Sequence, residues 1–126
     1  QLLADVVNTR SWLASTVLEQ GDIHSAIEIH QQIQQQSSID HSNDPYTLDR
    51  LASSNLILGT LLNYIGRHNE AFTQAKLGYK SITQALTYDP ENDLWRIQQY
   101  YSLFTILKFV LPNPSKPSIA WSSSPF

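Results

Sequence analysis

His24 and Glu28 stand four residues apart, the spacing at which two side chains on one face of a helix can share a metal ion. Such a pair needs a third ligand. His30 is the nearest candidate, but six helical residues turn it through about 600°, so it points some 120° away from His24. The pattern therefore fits a buried or half-exposed histidine better than a metal ligand. Asp40, His41 and Ser42 carry the side-chain types of a hydrolase triad, yet they are consecutive on a polar stretch, whereas triads are assembled in space from rigid elements. Glu91 and Asp93 form a further carboxylate pair beside an expected helix start, where attraction to the N-terminal end of the helix dipole explains them. The chain holds no Walker loop, no G-x-G-x-x-G and no G-x-S-x-G. No catalytic residue, no metal site and no cofactor is expected, and the chain is not read as an enzyme.

Composition narrows the classes further. With 126 residues, 41% hydrophobic and 15% charged, the chain has the size of one ordinary domain and enough apolar content for one core. Its eight basic and eleven acidic residues leave a net charge of −3, and lysine and arginine never cluster. Neither a nucleic-acid partner nor a polybasic membrane surface is expected. The absence of cysteine excludes a disulfide framework, a zinc ribbon and a thiol nucleophile. No apolar stretch approaches the roughly 18 residues of a membrane span, and no leader is readable, so a cytoplasmic protein is expected. A chain that begins at Gln1 and lacks methionine is read as a processed or excised part of something longer.

The elements that must position any functional residue emerge from an internal repeat. A shift of 45 residues places Gly21 on Gly66, Ala26 on Ala71, Asp44 on Asp89 and Pro45 on Pro90. The same shift carries Leu13 onto Leu58 and Leu103, and Val17 onto Leu62 and Leu107. A third copy thus begins, but Leu111 takes the place of its turn glycine, and Pro112, Pro114 and Pro117 then end any helix. Each full copy reads as two helices. The first copy gives about Leu2 to Gln20 and Ile23 to Ser37, the latter lined by Ala26, Ile27, His30 and Ile33. The second opens at Asp44-Pro45, an N-cap followed by the first-turn residue, and carries Leu48, Leu51, Ala52, Leu58, Leu61, Leu62 and Ile65 before Gly66. Its partner runs from about His68 to Thr87, with Ala71, Ala75, Gly78, Ile82 and Ala85 or Leu86 on one face. The third copy offers one helix, about Asn92 to Val110, faced by Trp95, Tyr100, Leu103, Phe104, Leu107 and Val110. Ser37 to Asn43 reads as a polar connector, and the glutamines from Gln31 to Gln36 as a solvated helical extension before it.

These residues resemble the tetratricopeptide repeat (TPR) family, whose pattern is W-x2-L-G-x2-Y, then A-x3-F, then P. The second copy offers Leu58-Gly59, Leu62, the turn at Gly66, and Ala71; the first offers Leu13-Ala14, Val17, Gln20-Gly21-Asp22 and Ala26-Ile27-Glu28. The third has Leu103 and Leu107, with Phe104 where a small residue is usual. Arg10, Asn55 and Tyr100 stand at the family's tryptophan, His30 and Ala75 at its phenylalanine, and the period exceeds the usual 34 residues. Small residues at Ala14, Gly59, Ala26, Ala71 and Gly78 suit closely approaching helices. Asp89-Pro90 followed by Trp95 is similar to longer repeats in multidomain signalling and regulatory proteins.

The resemblance implies an all-α fold of antiparallel hairpins stacked as a right-handed superhelix over residues 1–111, with an extended Pro/Ser-rich tail over 112–126. It also implies a concave groove lined by the first helix of each copy. Groove residues on this reading are Asn8, Ser11, Ser15 and Leu18; Ser53, Leu56, Thr60, Asn63 and Tyr64; and Gln98, Tyr101, Thr105, Lys108 and Phe109. The amides suit a peptide backbone and the aromatics suit apolar anchors, whereas Lys108 alone cannot make the basic clamp by which chaperone-binding relatives hold a terminal carboxylate. A protein or peptide partner follows, with a regulatory sensor or a self-association module as alternatives. Ile119, Ala120, Trp121 and Phe126 are costly to leave in water, so the tail is expected to pack on the third copy's helix or to enter a groove.

Overall fold

Two helix-terminating turns, one in each full copy, set the chain path. Gly21 and Gly66 have φ of 84° and 89°, the left-handed region that a side chain disfavours. Around them the same hydrogen bonds recur one period apart. Gly21 N donates to Leu18 O and Asp22 N to Val17 O, and Gly66 N donates to Asn63 O and Arg67 N to Leu62 O, all between 2.9 and 3.1 Å. This is the Schellman pattern, which satisfies the last carbonyls of a helix while reversing the chain. At Leu111 the third copy instead has φ −78° and ψ 141°, the extended backbone imposed on a residue that precedes proline.

The computed structural model describes residues 2–40 and 44–111. Within them lie α1 (Leu2–Glu19), α2 (Ile23–Asp40), α3 (Pro45–Tyr64), α4 (His68–Leu86) and α5 (Asp93–Val110), with no strand among the described residues. The fold is all-α, as the periodicity implies. His41, Ser42 and the tail from Pro112 lie outside the described residues. α2 runs three residues past the expected end at Ser37, so the first half of the expected polar connector is helical. Nothing there breaks a helix: the glutamines favour it, and neither glycine nor proline occurs between Gly21 and Pro45.

Side-chain caps fix the starts of α2, α3 and α5. Asp22 accepts from Ser25 N at 3.0 Å, and Asp44 from Thr47 N at 3.1 Å, with Pro45 in the first turn. Asp89-Pro90 does not repeat that role. It forms a turn, and Asn92, which accepts from Trp95 N at 3.1 Å, caps α5 three residues later.

Packing is sequential. α1 lies on α2 and α3, α2 on α3, α3 on α4, and α4 on α5. One core cluster joins Ala26 and Ile27 to Leu58, Leu61, Leu62 and Ala71; another joins Leu48 and Ala52 to Ile82, Ala85 and Trp95. α3 and α4 run antiparallel at close range, with glycines at the crossing. A Cβ on Gly59 would stand 3.2 Å from the Ala71 carbonyl oxygen, and one on Gly78 would stand 3.2 Å from Asn55 Cβ and 3.3 Å from Ala52 O. Small residues are what the approach requires, and Ala14, Ala26 and Ala71 are buried as well.

Polar links cross the core where helices meet. His30 Nδ1 lies 2.8 Å from Ser54 Oγ between α2 and α3, and Asn55 Nδ2 donates to Gln74 Oε1 at 2.8 Å between α3 and α4. Burial holds the His30 imidazole down to about 4, so at neutral pH it is uncharged. This is the buried histidine that its spacing from His24 suggests.

Two apolar rows face outward against expectation. On α5 the inward face is Trp95, Ser102 and Ile106, while Tyr100, Leu103 and Phe104 are exposed. α4 covers only one side of α5, and the small Ser102 sits at that contact rather than a large ring. On α1, Leu13 is exposed although its counterpart Leu58 is buried. The face that α3 turns toward α2 meets no helix on α1 among the described residues, so Trp12 and Leu13 are exposed.

Candidate interaction surface

The expected groove residues occupy α1, α3 and α5, and none of them is buried. They fall on rows repeated at 45 residues: Asn8, Ser53 and Gln98; Ser11, Leu56 and Tyr101; Ser15, Thr60 and Thr105. The last row behaves identically in all three copies. Ser15 Oγ donates to Ser11 O, Thr60 Oγ1 to Leu56 O and Thr105 Oγ1 to Tyr101 O, at 3.1, 2.9 and 2.9 Å. Each hydroxyl proton is therefore spent on its own helix, leaving oxygen lone pairs and methyl groups outward. The row is less able to donate than its residue types suggest.

Ser53 and Gln98, one period apart, are brought together. The Gln98 amide lies 3.3 Å from Ser53 Oγ, and with its nitrogen toward Asp49 it donates to Oδ1 at 3.0 Å while its oxygen accepts from Ser53. Asp49 is the residue the sequence reading missed. It precedes Ser53 by four, hence lies on the same face, and its counterparts Ala4 and Leu94 carry no charge, so the repeat gave no cue. Half-burial pushes its carboxyl above the usual range, while Arg50 and a hydrogen bond from Trp95 pull it back. Trp95 itself stacks edge-on against Tyr46 at 6.4 Å, so an aromatic pair backs this end of the surface.

At the other end several candidates are engaged by the fold. Asn63 Oδ1 is met by His68 Nδ1. Phe109 packs on Phe72 at 5.5 Å and on the first core cluster, as Leu18 does, so Phe109 is structural rather than a free anchor. Lys108 lays its ammonium over the Phe104 ring at 4.9 Å. Tyr64 and Tyr101 remain open, 77% and 57% exposed.

The residues considered first for chemistry do not assemble. His24 and Glu28 are exposed while His30 points into the core, and no group of three or more His, Asp or Glu among the described residues could hold a metal ion. Glu91 reaches Arg96 at 4.0 Å, and Asp93 sits in the first turn of α5. No described helix is long and apolar enough to cross a membrane. In comparisons with known proteins, no family model matches the chain, and no curated protein or solved structure matches it significantly.

Proposed function

We propose that this chain is a non-catalytic, tetratricopeptide-like interaction module whose α1, α3 and α5 together form a concave surface that holds a peptide or partner segment. The observation that carries the reading is the register along one row, where the hydroxyls of Ser15, Thr60 and Thr105, 45 residues apart on successive first helices, make the same back-bond. The one amide bridge between two such helices, Gln98 to Ser53, also joins equivalent positions. Stacked repeats of this kind present a continuous face to a ligand.

Tyr64 and Tyr101 serve as rigid apolar anchors, and Asn8 with the Asp49–Gln98 pair sets register. The face carries little charge, which favours an uncharged or apolar segment over an acidic one. The reading includes a cytoplasmic setting within a larger signalling or regulatory protein, with no cofactor and no nucleic-acid or membrane partner. The net charge of −3 without basic clusters supports the last point.

The test is a selection of displayed peptides on the intact chain, followed by calorimetric titration against a Tyr101→Glu, Thr60→Arg variant with matched helical circular dichroism. Selected peptides that bind the first and not the second support the outward face. Peptides that bind both alike refute it. A second reading, self-association, is favoured by Trp12, 75% exposed, beside Leu13 on α1. Sedimentation of the intact chain across a hundredfold concentration range decides it: a constant monomer mass excludes that reading.

A further inference from the structure

Helix α5 carries a second apolar face besides the one it turns to α4. Trp95, Ser102 and Ile106 point inward, whereas Ile97, Tyr100, Phe104 and Leu107 follow one another at steps of three, four and three residues, with Leu111 at the C-cap four further on. That alternation is the a and d pattern of a helix-to-helix seam, and at about 100° per residue it centres opposite Trp95. Ile97, Tyr100, Phe104 and Leu111 are between 53% and 64% exposed, and Leu103 flanks them. Two heptads are too few to hold a free coiled coil, but α5 is already fixed as a helix by its packing on α4. One period earlier the same row is Ala52, Asn55, Gly59 and Leu62, buried under α4. On α5 large residues replace the small ones, which suits the wider, interlocking spacing of a seam rather than a close crossing.

Charge at the two ends of the seam selects its occupant. Asp93, four residues before Ile97, falls on the same stripe at its start, and Lys108 stands beside Leu107 near its end; both are exposed. Arg96, at the margin, is paired with Glu91. A second α5 laid antiparallel brings Asp93 of each chain to the Lys108 end of the other and opposes the two helix dipoles. A parallel copy would set aspartate against aspartate and lysine against lysine. With a two-fold axis level with about residue 102, Tyr100 lies opposite Phe104 of the partner subunit and Ile97 opposite Leu107 of the partner subunit, so that each a position meets a d position. Taking about 200 Å² for a whole large side chain, the exposed parts of the seam offer at most roughly 550 Å² per copy, or about 1,100 Å² in all. This clears the roughly 1,000 Å² that a specific interface needs and falls short of the about 2,000 Å² of a permanent one.

We propose that this protein pairs reversibly with a second copy of itself through the outward faces of α5, as an antiparallel seam of Ile97, Tyr100, Phe104, Leu107 and Leu111 with Asp93 and Lys108 opposed at each end. The partner's α5 covers the row that α4 covers on α3. This surface is separate from Trp12 and Leu13, and the pairing stands whether or not the outward face of α1, α3 and α5 holds a peptide.

The experiment is sedimentation equilibrium of the full chain from about 1 to 100 µM, beside Phe104→Asp, Trp12→Asp, Asp93→Lys, Lys108→Asp and the Asp93→Lys, Lys108→Asp double variant, each with its circular dichroism recorded. The expected result is a monomer–dimer equilibrium with Kd on the order of 10 µM. Phe104→Asp should weaken it at least about tenfold, and Trp12→Asp should leave it unchanged. Each single charge reversal should weaken it about fivefold, and the double variant should return to within about twofold of wild type. A fold damaged by one reversal is not repaired by the other, so the charge variants decide the matter even if Phe104→Asp does not fold. A constant monomer mass overturns the proposal, and a lower Tm for Phe104→Asp in that monomer would mean that the strip is covered within its own chain. A dimer lost with Trp12→Asp and kept with Phe104→Asp also overturns it, leaving self-association through α1. So does a double variant that associates more weakly than either single one.

Discussion

Acidification from pH 7.5 to pH 5 is expected to destabilise this protein through one buried ring. His30 is 2% exposed, and burial lowers its folded-state value to about 4, while in the unfolded chain it returns to about 6.5. Between those values the unfolded state binds a proton that the folded state does not. Stability therefore falls as pH falls through this window, and the loss is complete below the folded value. At roughly 1.4 kcal/mol per pKa unit the full effect is about 3 kcal/mol, of which about 2 kcal/mol is lost by pH 5. Urea unfolding followed at 222 nm measures it, as the difference in midpoint between pH 7.5 and pH 5 at constant m. His30→Gln isolates it by removing the titrating ring and keeping a polar group toward Ser54, whose Oγ lies 2.8 Å from Nδ1. The variant should be less stable at pH 7.5 and should lose most of the wild type's decline toward pH 5. Equal declines in the two proteins would refute the assignment, whichever is more stable.

Two further outcomes concern the glycines. Gly66→Ala should lower stability by about 1 kcal/mol, because φ is 89° there while no atom lies within 4 Å of the new Cβ; Gly21→Ala should behave alike in chemical denaturation, and no loss at either site would dismiss the turn argument. Gly78→Val should cost about 2 kcal/mol or more, since even one added carbon meets Asn55 Cβ and Ala52 O at 3.2 and 3.3 Å; a midpoint unchanged in urea would mean α3 and α4 can separate freely.

Much of the fold was legible because glycine, proline and cap residues act locally. Gly21, Gly66 and Asp44 do in the structure what their backbone preferences require, and the small residues of α4 mark its buried face without help from anything distant. The orientation of α5 was not legible. Nearly its whole circumference is apolar, so periodicity offers Trp95–Ser102–Ile106 and Tyr100–Leu103–Phe104 as competing inward faces, and only the one-sided presence of α4 chooses. The end of α2 was misplaced for the opposite reason: Ser37 to Asp40 carries no signal strong enough to stop a helix already under way. At the candidate surface, residue types overstated the available donors. Whether a threonine hydroxyl faces a ligand or its own helix is decided by rotamer, as at Thr60 and Thr105, and no spacing rule reports that.

The sequential packing makes resistance to opening uneven along the chain. α3 is held by α1, α2 and α4, whereas α5 has α4 as its principal neighbour and the open side of α1 has none among the described helices. In a molecule whose elements touch mainly their neighbours, local opening starts at the ends and moves inward. Amide exchange should accordingly be slowest around Leu58 to Leu62 and become faster toward both outer helices. The central helix then acts as a fixed rail, and the outer helices can rock against it without melting the middle.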